Sequence, residues 1–232
     1  MISLQVLTPN KKCIFNCPFC ISKSHIHNNK FTNNYELNNE LWKNNLIKVI
    51  KENKDLKYVV ITGTNEPMQS MDCVKEIIKI VKNTNQDIQI EIQTHYYKPN
   101  DIYQMLDVTA YSIPDFNLLN KIKPAGKVNR FVLILTDSFN NHNLSDIISL
   151  IPKNVSQITL KCLHDSKGFN INFDEYIKKH KIDSNTLEVL RNDIKNYKGN
   201  LSIRLDEFCM DAEGRYKVFR EDGNLYNDWD EE

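Results

Sequence analysis

Apolar and polar positions recur with two different periods, and segments with one period alternate along the chain with segments with the other. Short apolar runs of strand length are separated by longer segments with an apolar residue every three or four positions. The clearest of these longer segments has apolar residues at i, i+3, i+4 and i+7, namely Val74, Ile77, Ile78 and Val81. This spacing predicts an amphipathic helix.

The same two patterns predict further strands and helices on both sides of that segment. Strands are predicted over Ser3–Leu7, Lys57–Thr62, Ile88–Gln93, Val108–Ser112, Phe131–Thr136, Gln157–Leu163 and Leu201–Leu205. The other helices are predicted over Glu36–Lys51, Asp101–Leu106, Leu144–Ile151, Phe173–His180 and Ser184–Tyr197. This alternation predicts parallel strands that are joined by right-handed crossovers.

Six or seven strand–helix units are too few to close the eight-stranded barrel that this alternation builds in larger proteins. We therefore predict an α/β fold, a partial (open) parallel (β/α)6-type barrel, over residues 1–205. Residues 206–232 are predicted to form a carboxy-terminal extension. Within it, Asp222-Gly223 is a hairpin turn signal between YKVF and NLY. We expect this hairpin to be a lid over the barrel opening, to bind a partner or to cap the barrel edge.

Several predicted strands carry a polar face opposite the apolar one. In IQIEIQ the isoleucines point one way while Glu91 and Gln93 point the other, and Lys161 and Arg204 hold equivalent positions in later strands. Burying such charges without partners costs several kcal/mol per ion. We expect a water-filled lumen that binds a polar ligand, with Glu91, Gln93 and Arg204 as substrate-binding candidates. The alternatives are a solvent-exposed face, or ion pairs among these charges.

Charge and length narrow the classes of partner. The 30 basic and 30 acidic residues cancel, which argues against a general nucleic-acid binder or an attraction to anionic membranes. The amino terminus has no leader-like apolar run, and no stretch of the sequence has the length needed to cross a bilayer. We therefore expect a cytoplasmic protein without a membrane partner.

Three of the six cysteines lie within eight residues, in Cys13-Ile-Phe-Asn-Cys17-Pro-Phe-Cys20. Such spacing lets one short loop after the first strand present three thiolates to an iron–sulfur cluster. A four-iron cluster would keep one iron without a protein ligand, and that iron would be open to a substrate. A zinc site completed by His25 or His27 and a redox pair at Cys17 and Cys20 are the alternatives.

At this point the chain resembles the radical S-adenosylmethionine (SAM) superfamily. The signature of that family is CxxxCxΦC, where Φ is aromatic, and Cys13, Cys17, Phe19 and Cys20 match it. The resemblance implies that the three cysteines hold a 4Fe-4S cluster and that SAM binds at its open iron, with Phe19 at the cofactor site.

The family also has a Gly-Gly-Glu-Pro-like turn after its second strand. Here Gly63, Glu66 and Pro67 match that turn, whereas Thr64 and Asn65 depart from its glycine-rich form, so we expect an altered turn conformation. The resemblance implies that Glu66 accepts a hydrogen bond from the amino group of SAM, with Gly63 and Thr64 beside it.

Weaker correspondences extend the predicted cofactor site to later strands. The resemblance implies that Ser112 contacts the ribose and that Leu163 and His164 contact the adenine. Lys161 is expected to pair with the methionine carboxylate, or with Glu91 in a structural ion pair. The remaining cysteines are scattered: Cys73 and Cys162 are predicted to be buried, and Cys209 is a hydrogen-donor candidate or a packed side chain.

The resemblance also implies the reaction. The reduced cluster passes one electron to SAM, and the resulting 5′-deoxyadenosyl radical takes a hydrogen atom from the substrate, with a flavodoxin- or ferredoxin-type protein as electron donor. The polar lumen favours a small polar substrate, such as a nucleotide or a modified base. The alternative is an activase or peptide-modifying enzyme that acts on a partner polypeptide, and the outsider is a non-catalytic iron–sulfur protein.

Overall fold

A computed structural model describes residues 2–8, 12–20, 39–168, 170–207 and 216–229. The strands are β1 (Ser3–Leu7), β2 (Tyr58–Thr62), β3 (Gln89–Thr94), β4 (Val108–Ile113), β5 (Val128–Leu135), β6 (Val155–Cys162), β7 (Ser202–Asp206), β8 (Tyr216–Phe219) and β9 (Leu225–Tyr226). The helices are α1 (Glu40–Glu52), α2 (Met71–Thr84), α3 (Ile102–Met105), α4 (Leu144–Leu150), α5 (Ile171–His180) and α6 (Ser184–Asn196).

All nine described strands belong to one sheet, in the order β7-β6-β5-β4-β3-β2-β1-β8-β9. Consecutive strands from β1 to β7 pair in parallel. Strands β7 and β9 are its two edges, so the described part of the sheet does not close on itself. This arrangement confirms the predicted α/β fold with an open, parallel partial barrel.

The two faces of the sheet differ as the alternating pattern predicts. The isoleucines of β3 and the residues Phe131, Leu133 and Leu135 of β5 are fully buried in the apolar core. Helix α2 adds Val74, Ile77, Ile78 and Val81, as its spacing predicts. Each such side chain contributes roughly 1.5–3 kcal/mol by leaving water. The polar positions of the same strands face the other side, where the candidate site lies.

Two elements begin at other residues than predicted. Helix α1 begins at Glu40 because the side chain of Asn39 accepts hydrogen bonds from the backbone N–H groups of Leu41 and Trp42. The predicted start at Glu36 lies outside the described residues. Strand β5 begins at Val128, three residues before the predicted start, and therefore includes Arg130.

The carboxy-terminal extension forms the predicted hairpin, since β8 and β9 pair antiparallel around a turn with Gly223 at a φ of 81°. The parallel pairing of β8 with β1 was not predicted. Two indoles attach the hairpin to the barrel: Trp42 Nε1 donates to the Arg220 carbonyl at 3.2 Å, and Trp229 Nε1 donates to Gln5 Oε1 at 2.6 Å. A role as a lid, and the division at residue 205, stay predictions.

The hairpin turn contains a buried carboxyl group. Glu221 is 6% exposed, and neither of its carboxylate oxygens has a hydrogen-bond partner among the residues that the structure describes. Burial raises the pKa of Glu221 to about 7. Because this folded-state pKa lies above the unfolded value, the stabilising contribution is complete below about pH 4.5 and is lost as the pH rises through 7.

We therefore expect Glu221→Gln to raise the free energy of unfolding at pH 8 by about 2–3 kcal/mol, because the substitution removes the cost of ionising a buried carboxyl group. Near pH 4.5 the same substitution should change little. Urea denaturation of parent and variant at both pH values measures the difference. An equal effect at the two pH values would contradict the assignment.

No helix in the described part of the chain combines the length and the apolar character needed to cross a membrane.

Candidate active site

A cavity of about 380 Å³ lies at the carboxyl ends of the parallel strands and extends along their polar face. It gathers residues from six strands and from the loops that follow β1, β2, β3 and β6. The predicted site residues that line it are Cys13, Cys17, Phe19, Cys20, Gly63, Thr64, Glu66, Glu91, Gln93, Ser112, Lys161, Leu163, His164 and Arg204. Cys209 lies outside the described residues. The structure thus brings the other candidates together, and their roles stay predictions.

The loop that follows β1 carries the three clustered thiols. Asn16 adopts a φ of 44°, a left-handed conformation that Asn tolerates, and the N–H of Cys20 donates to the carbonyl of Cys17 at 3.2 Å. Cys13, Cys17 and Cys20 are all half-buried, form no disulfide with the described residues and line the same cavity. Within the described residues, no group of three His, Cys, Asp or Glu side chains is already arranged to hold a metal ion.

The donor set of this loop fits a 4Fe-4S cluster. Thiolate sulfur is the ligand that these clusters use, and three thiols on one cavity wall would leave one iron open toward the cavity. Across the same cavity, Nε2 of His164 is buried and has no hydrogen-bond partner among the described residues. An orphaned nitrogen of this kind fits a cavity that receives a polar ligand. The zinc alternative relied on His25 and His27, which lie outside the described residues.

Glu66 is held at the end of β2 by three hydrogen bonds, although it is only 3% exposed. Oε1 accepts from the N–H of Met68 at 3.0 Å and from Thr94 Oγ1 at 2.5 Å, and Oε2 accepts from the N–H of His95 at 2.7 Å. A carboxylate has about four acceptor sites, so Oε2 keeps one for a further donor. Burial raises the pKa of Glu66, and these three hydrogen bonds oppose the rise.

The turn before Glu66 is held by a side-chain hydrogen bond at Asn65, one of the positions where it departs from the glycine-rich form. Thr8 Oγ1, at the end of β1, donates to Asn65 Oδ1 at 3.2 Å, and both residues are buried. A Cβ atom at Gly63 would lie 2.7 Å from Thr8 Oγ1, so glycine is needed there for close packing. Asn65 thereby ties this turn to the strand that leads into the cysteine loop.

An ion pair crosses the deeper part of the cavity. Arg130 Nη1 on β5 lies 2.6 Å from Glu91 Oε2 on β3, and Arg130 Nε donates to Gln157 Oε1 at 2.8 Å. Between the two strands, Ala110 of β4 is in register with Arg130, and its methyl group leaves room for the long side chain. Glu91 thus pairs with Arg130 of the nearer β5, and the described residues show no ion pair between Glu91 and Lys161.

Sequence reasoning missed Arg130 because the predicted strand began one residue after it. The alternation of Arg130, Val132 and Ile134 was the available signal, since all three face the cavity. Burial raises the pKa of Glu91, and the Arg130 guanidinium acts in the opposite direction. The Arg130 guanidinium thus favours the ionised form of a carboxyl group whose burial disfavours it.

The cavity mouth carries further charges. Arg204 pairs with Asp206 on the same strand, whereas Lys161 is exposed to the cavity and forms no ion pair with the described residues. Burial lowers the pKa of His164, and the charge of Lys161 lowers it further. Cys162 was expected to be buried but is half-buried: it is the last residue of β6, where it packs against the core and also lines the cavity.

The ion pair between Arg130 and Glu91 leads to a prediction about the stability of the fold. Glu91→Gln leaves the guanidinium without its counterion, and the Glu91 and Arg130 side chains are only 13% and 29% exposed. We expect the free energy of unfolding to fall by about 1–2 kcal/mol. The control is Glu188→Gln, which breaks a solvent-exposed ion pair with Arg191 and should cost at most about 0.5 kcal/mol. Equal losses in the two variants under urea denaturation would contradict this account.

Comparison with known proteins adds three findings. A family model described as "Radical SAM superfamily" matches residues 7–192. The structure of "Native anSMEcpe with bound AdoMet", where AdoMet is SAM, superposes with a TM-score of 0.64 at 13% identity, over 98% of this chain and 74% of that one. The structure of "Native anSMEcpe with bound AdoMet and Cp18Cys peptide" gives 0.59 at 14% identity, over the same shares. At such low sequence identities, these superpositions show a shared fold only. No curated protein sequence matches the chain significantly.

Proposed function

The chain belongs to the radical SAM superfamily, and on that premise we propose that it cleaves SAM reductively and takes a hydrogen atom from a small polar substrate, for example a nucleotide. One observation carries the proposal. The three clustered thiols, the Glu66 turn and the charged strand positions all line one cavity. A non-catalytic iron–sulfur carrier would not need the last two features.

Cys13, Cys17 and Cys20 would hold the 4Fe-4S cluster on the loop after β1. When bound and reduced, this cluster supplies the single electron that splits SAM into methionine and a 5′-deoxyadenosyl radical. Phe19 lies between two of these cysteines in the sequence and lines the same cavity, where its ring would exclude water from the reacting atoms. A flavodoxin- or ferredoxin-type protein is the proposed electron donor.

The chain's own groups would orient SAM by its charged ends. Oε2 of Glu66 has an acceptor site left for the amino group, and the ammonium of Lys161 is available for the carboxylate. Ser112 would contact the ribose, while Leu163 and His164 would contact the adenine. This set fixes the orientation of the molecule before its bond is broken, which is what a positioned reaction requires.

The deeper part of the cavity is the proposed substrate site. A guanidinium has five N–H donors, and the hydrogen bonds to Glu91 and Gln157 use two of those of Arg130. The remaining donors, together with Gln93 and Arg204, suit a small molecule with several acceptor atoms. The polar lining supports a nucleotide-like substrate over an apolar one.

A peptide or a partner polypeptide is the second candidate substrate. The observation that favours it is the fold shared with anSMEcpe, which binds a peptide beside AdoMet and whose likeness extends over 98% of this chain.

Substrate-dependent formation of 5′-deoxyadenosine distinguishes the two candidates. The full chain, loaded with its cluster and reduced, is incubated with SAM and either a panel of deuterated nucleotides or a panel of deuterated peptides. We expect deuterium to enter 5′-deoxyadenosine from a nucleotide, and Arg204→Ala to raise the KM for that nucleotide more than the KM for SAM. Transfer from peptides alone would overturn the small-substrate proposal in favour of the second candidate.

A further inference from the structure

We propose that Gln69 is a positioning residue that docks the cysteine loop, residues 12–20, onto the turn that carries Glu66. The proposal rests on the proposed function, since it concerns how the cluster ligands are placed relative to the SAM site. Gln69 itself is not among the residues that line the cavity, so it acts through the loop.

The side-chain amide of Gln69 forms hydrogen bonds with the loop backbone on both sides of Cys13. Its Nε2 donates to the carbonyl of Lys12 at 3.0 Å, and its Oε1 accepts from the N–H of Ile14 at 3.0 Å. One planar amide thus makes the donor and acceptor contacts that a neighbouring strand would make. This pairing fixes the backbone from which the Cys13 thiol projects.

Gln69 is in turn fixed to Glu66. It belongs to a short 3-10 helix, Pro67–Ser70, which Glu66 caps with its side chain, and the N–H of Gln69 donates to the Glu66 carbonyl at 3.0 Å. Only Pro67 and Met68 therefore separate Glu66, the proposed acceptor of the SAM amino group, from Gln69, which contacts the cysteine loop. Moving one end of this turn moves the other.

A second contact leads from the loop to the same glutamate. The ring of Phe15 meets the ring of His95 edge-on, with centroids 4.7 Å apart, and the N–H of His95 donates to Glu66 Oε2. The loop has no regular secondary structure over residues 12–20, and Ile14 is 60% exposed. The contacts of Gln69 and of Phe15 thus both lead to Glu66. We therefore expect the turn that carries Glu66 to set the distance between the cluster and SAM.

Removal of the Gln69 amide would change the position of the loop. The backbone on both sides of Cys13 would lose its two hydrogen bonds to Gln69, while every side chain that lines the cavity would remain. A displacement of about 1 Å at a reacting centre can cost on the order of a hundredfold in rate. We expect Gln69→Ala to raise the KM for SAM roughly tenfold and to alter the electron paramagnetic resonance spectrum of the reduced cluster.

The first test uses the cluster-free chain, so that it does not depend on activity. Hydrogen exchange over residues 12–20 is compared between the parent, Gln69→Ala and Gln69→Glu. We expect exchange to become roughly fivefold faster in Gln69→Ala, because the N–H of Ile14 loses its acceptor. Gln69→Glu keeps that acceptor and loses the donor to Lys12, so its exchange should be intermediate. The glutamate variant also serves if the alanine variant folds poorly.

The matched control is Gln104→Ala. Gln104 also donates from its side-chain amide to a backbone carbonyl, that of Ala125, at a distance from the cavity. This variant should leave the exchange of the loop, the KM for SAM and the resonance spectrum at parent values.

Two results would overturn the proposal: loop exchange in Gln69→Ala equal to that of Gln104→Ala, or faster exchange with an unchanged KM and spectrum. A parent chain that binds no cluster contradicts the proposed function instead. In that case the exchange of the cluster-free chain still decides whether Gln69 docks the loop.

Discussion

We expect Cys17→Ala to lower the formation of 5′-deoxyadenosine by at least about a thousandfold. The physical reason is the count of ligands, since two thiols cannot hold the three irons that the loop must anchor. Iron and sulfide content and the visible absorbance of the reconstituted chain measure the loss of the cluster directly. The product assay then measures its consequence.

The matched control for this variant is Cys73→Ala. Cys73 on α2 is fully buried in the core and does not line the cavity. Its replacement should cost about 1 kcal/mol of stability while leaving the iron content at the parent value. Equal iron content and equal product in Cys17→Ala and in the parent would remove the cysteine loop from the mechanism.

Glu66→Gln is expected to raise the KM for SAM by roughly 10- to 100-fold. The amide keeps the size of the side chain but removes the negative charge that a cationic amino group needs, and a hydrogen bond to a charged group is worth about 1.5–3 kcal/mol. The amide NH2 of the variant would also face the N–H of His95, which requires an acceptor. Both effects act on binding, so the change should fall on KM more than on kcat.

The pH dependence of SAM binding gives a second view of Glu66. Burial raises the pKa of this carboxyl group above its ordinary value. Binding of a cationic amino group requires the ionised form, so affinity should fall as the pH drops through the raised pKa. Calorimetric titration with SAM across the acidic range checks the direction. In Glu66→Gln this pH dependence should disappear.

Glu221→Gln is the control for Glu66→Gln, since Glu221 is an equally buried carboxyl group that lies outside the cavity. It should change stability and leave the KM for SAM unchanged. If both variants shift this KM alike, or if neither does, Glu66 does not bind the amino group.

The features that could be predicted from the sequence are those that depend on residues close to one another along the chain. The cysteine spacing, the Gly63 to Pro67 turn and the two-residue alternation of β3 are local patterns, and the structure brings all three to one cavity. The open parallel barrel follows from the order of strands and helices, which is also written along the chain.

The remaining features depend on which strands are neighbours. Glu91 meets Arg130 because β5 lies two strands from β3, and β8 lies beside β1 although more than two hundred residues separate them in the sequence. No local pattern encodes such a pairing. The contacts of Gln69 with Lys12 and Ile14 belong to the same class, since they join residues 55 and 57 positions apart.

We propose that one cavity holds a cluster and SAM in reacting positions. To test this, the full chain is loaded with iron and sulfide under anaerobic conditions, reduced and given SAM. We expect 5′-deoxyadenosine and methionine in equal amounts, formed only when both reductant and SAM are present. A chain that carries a full 4Fe-4S cluster, accepts the electron and still forms no 5′-deoxyadenosine would contradict it.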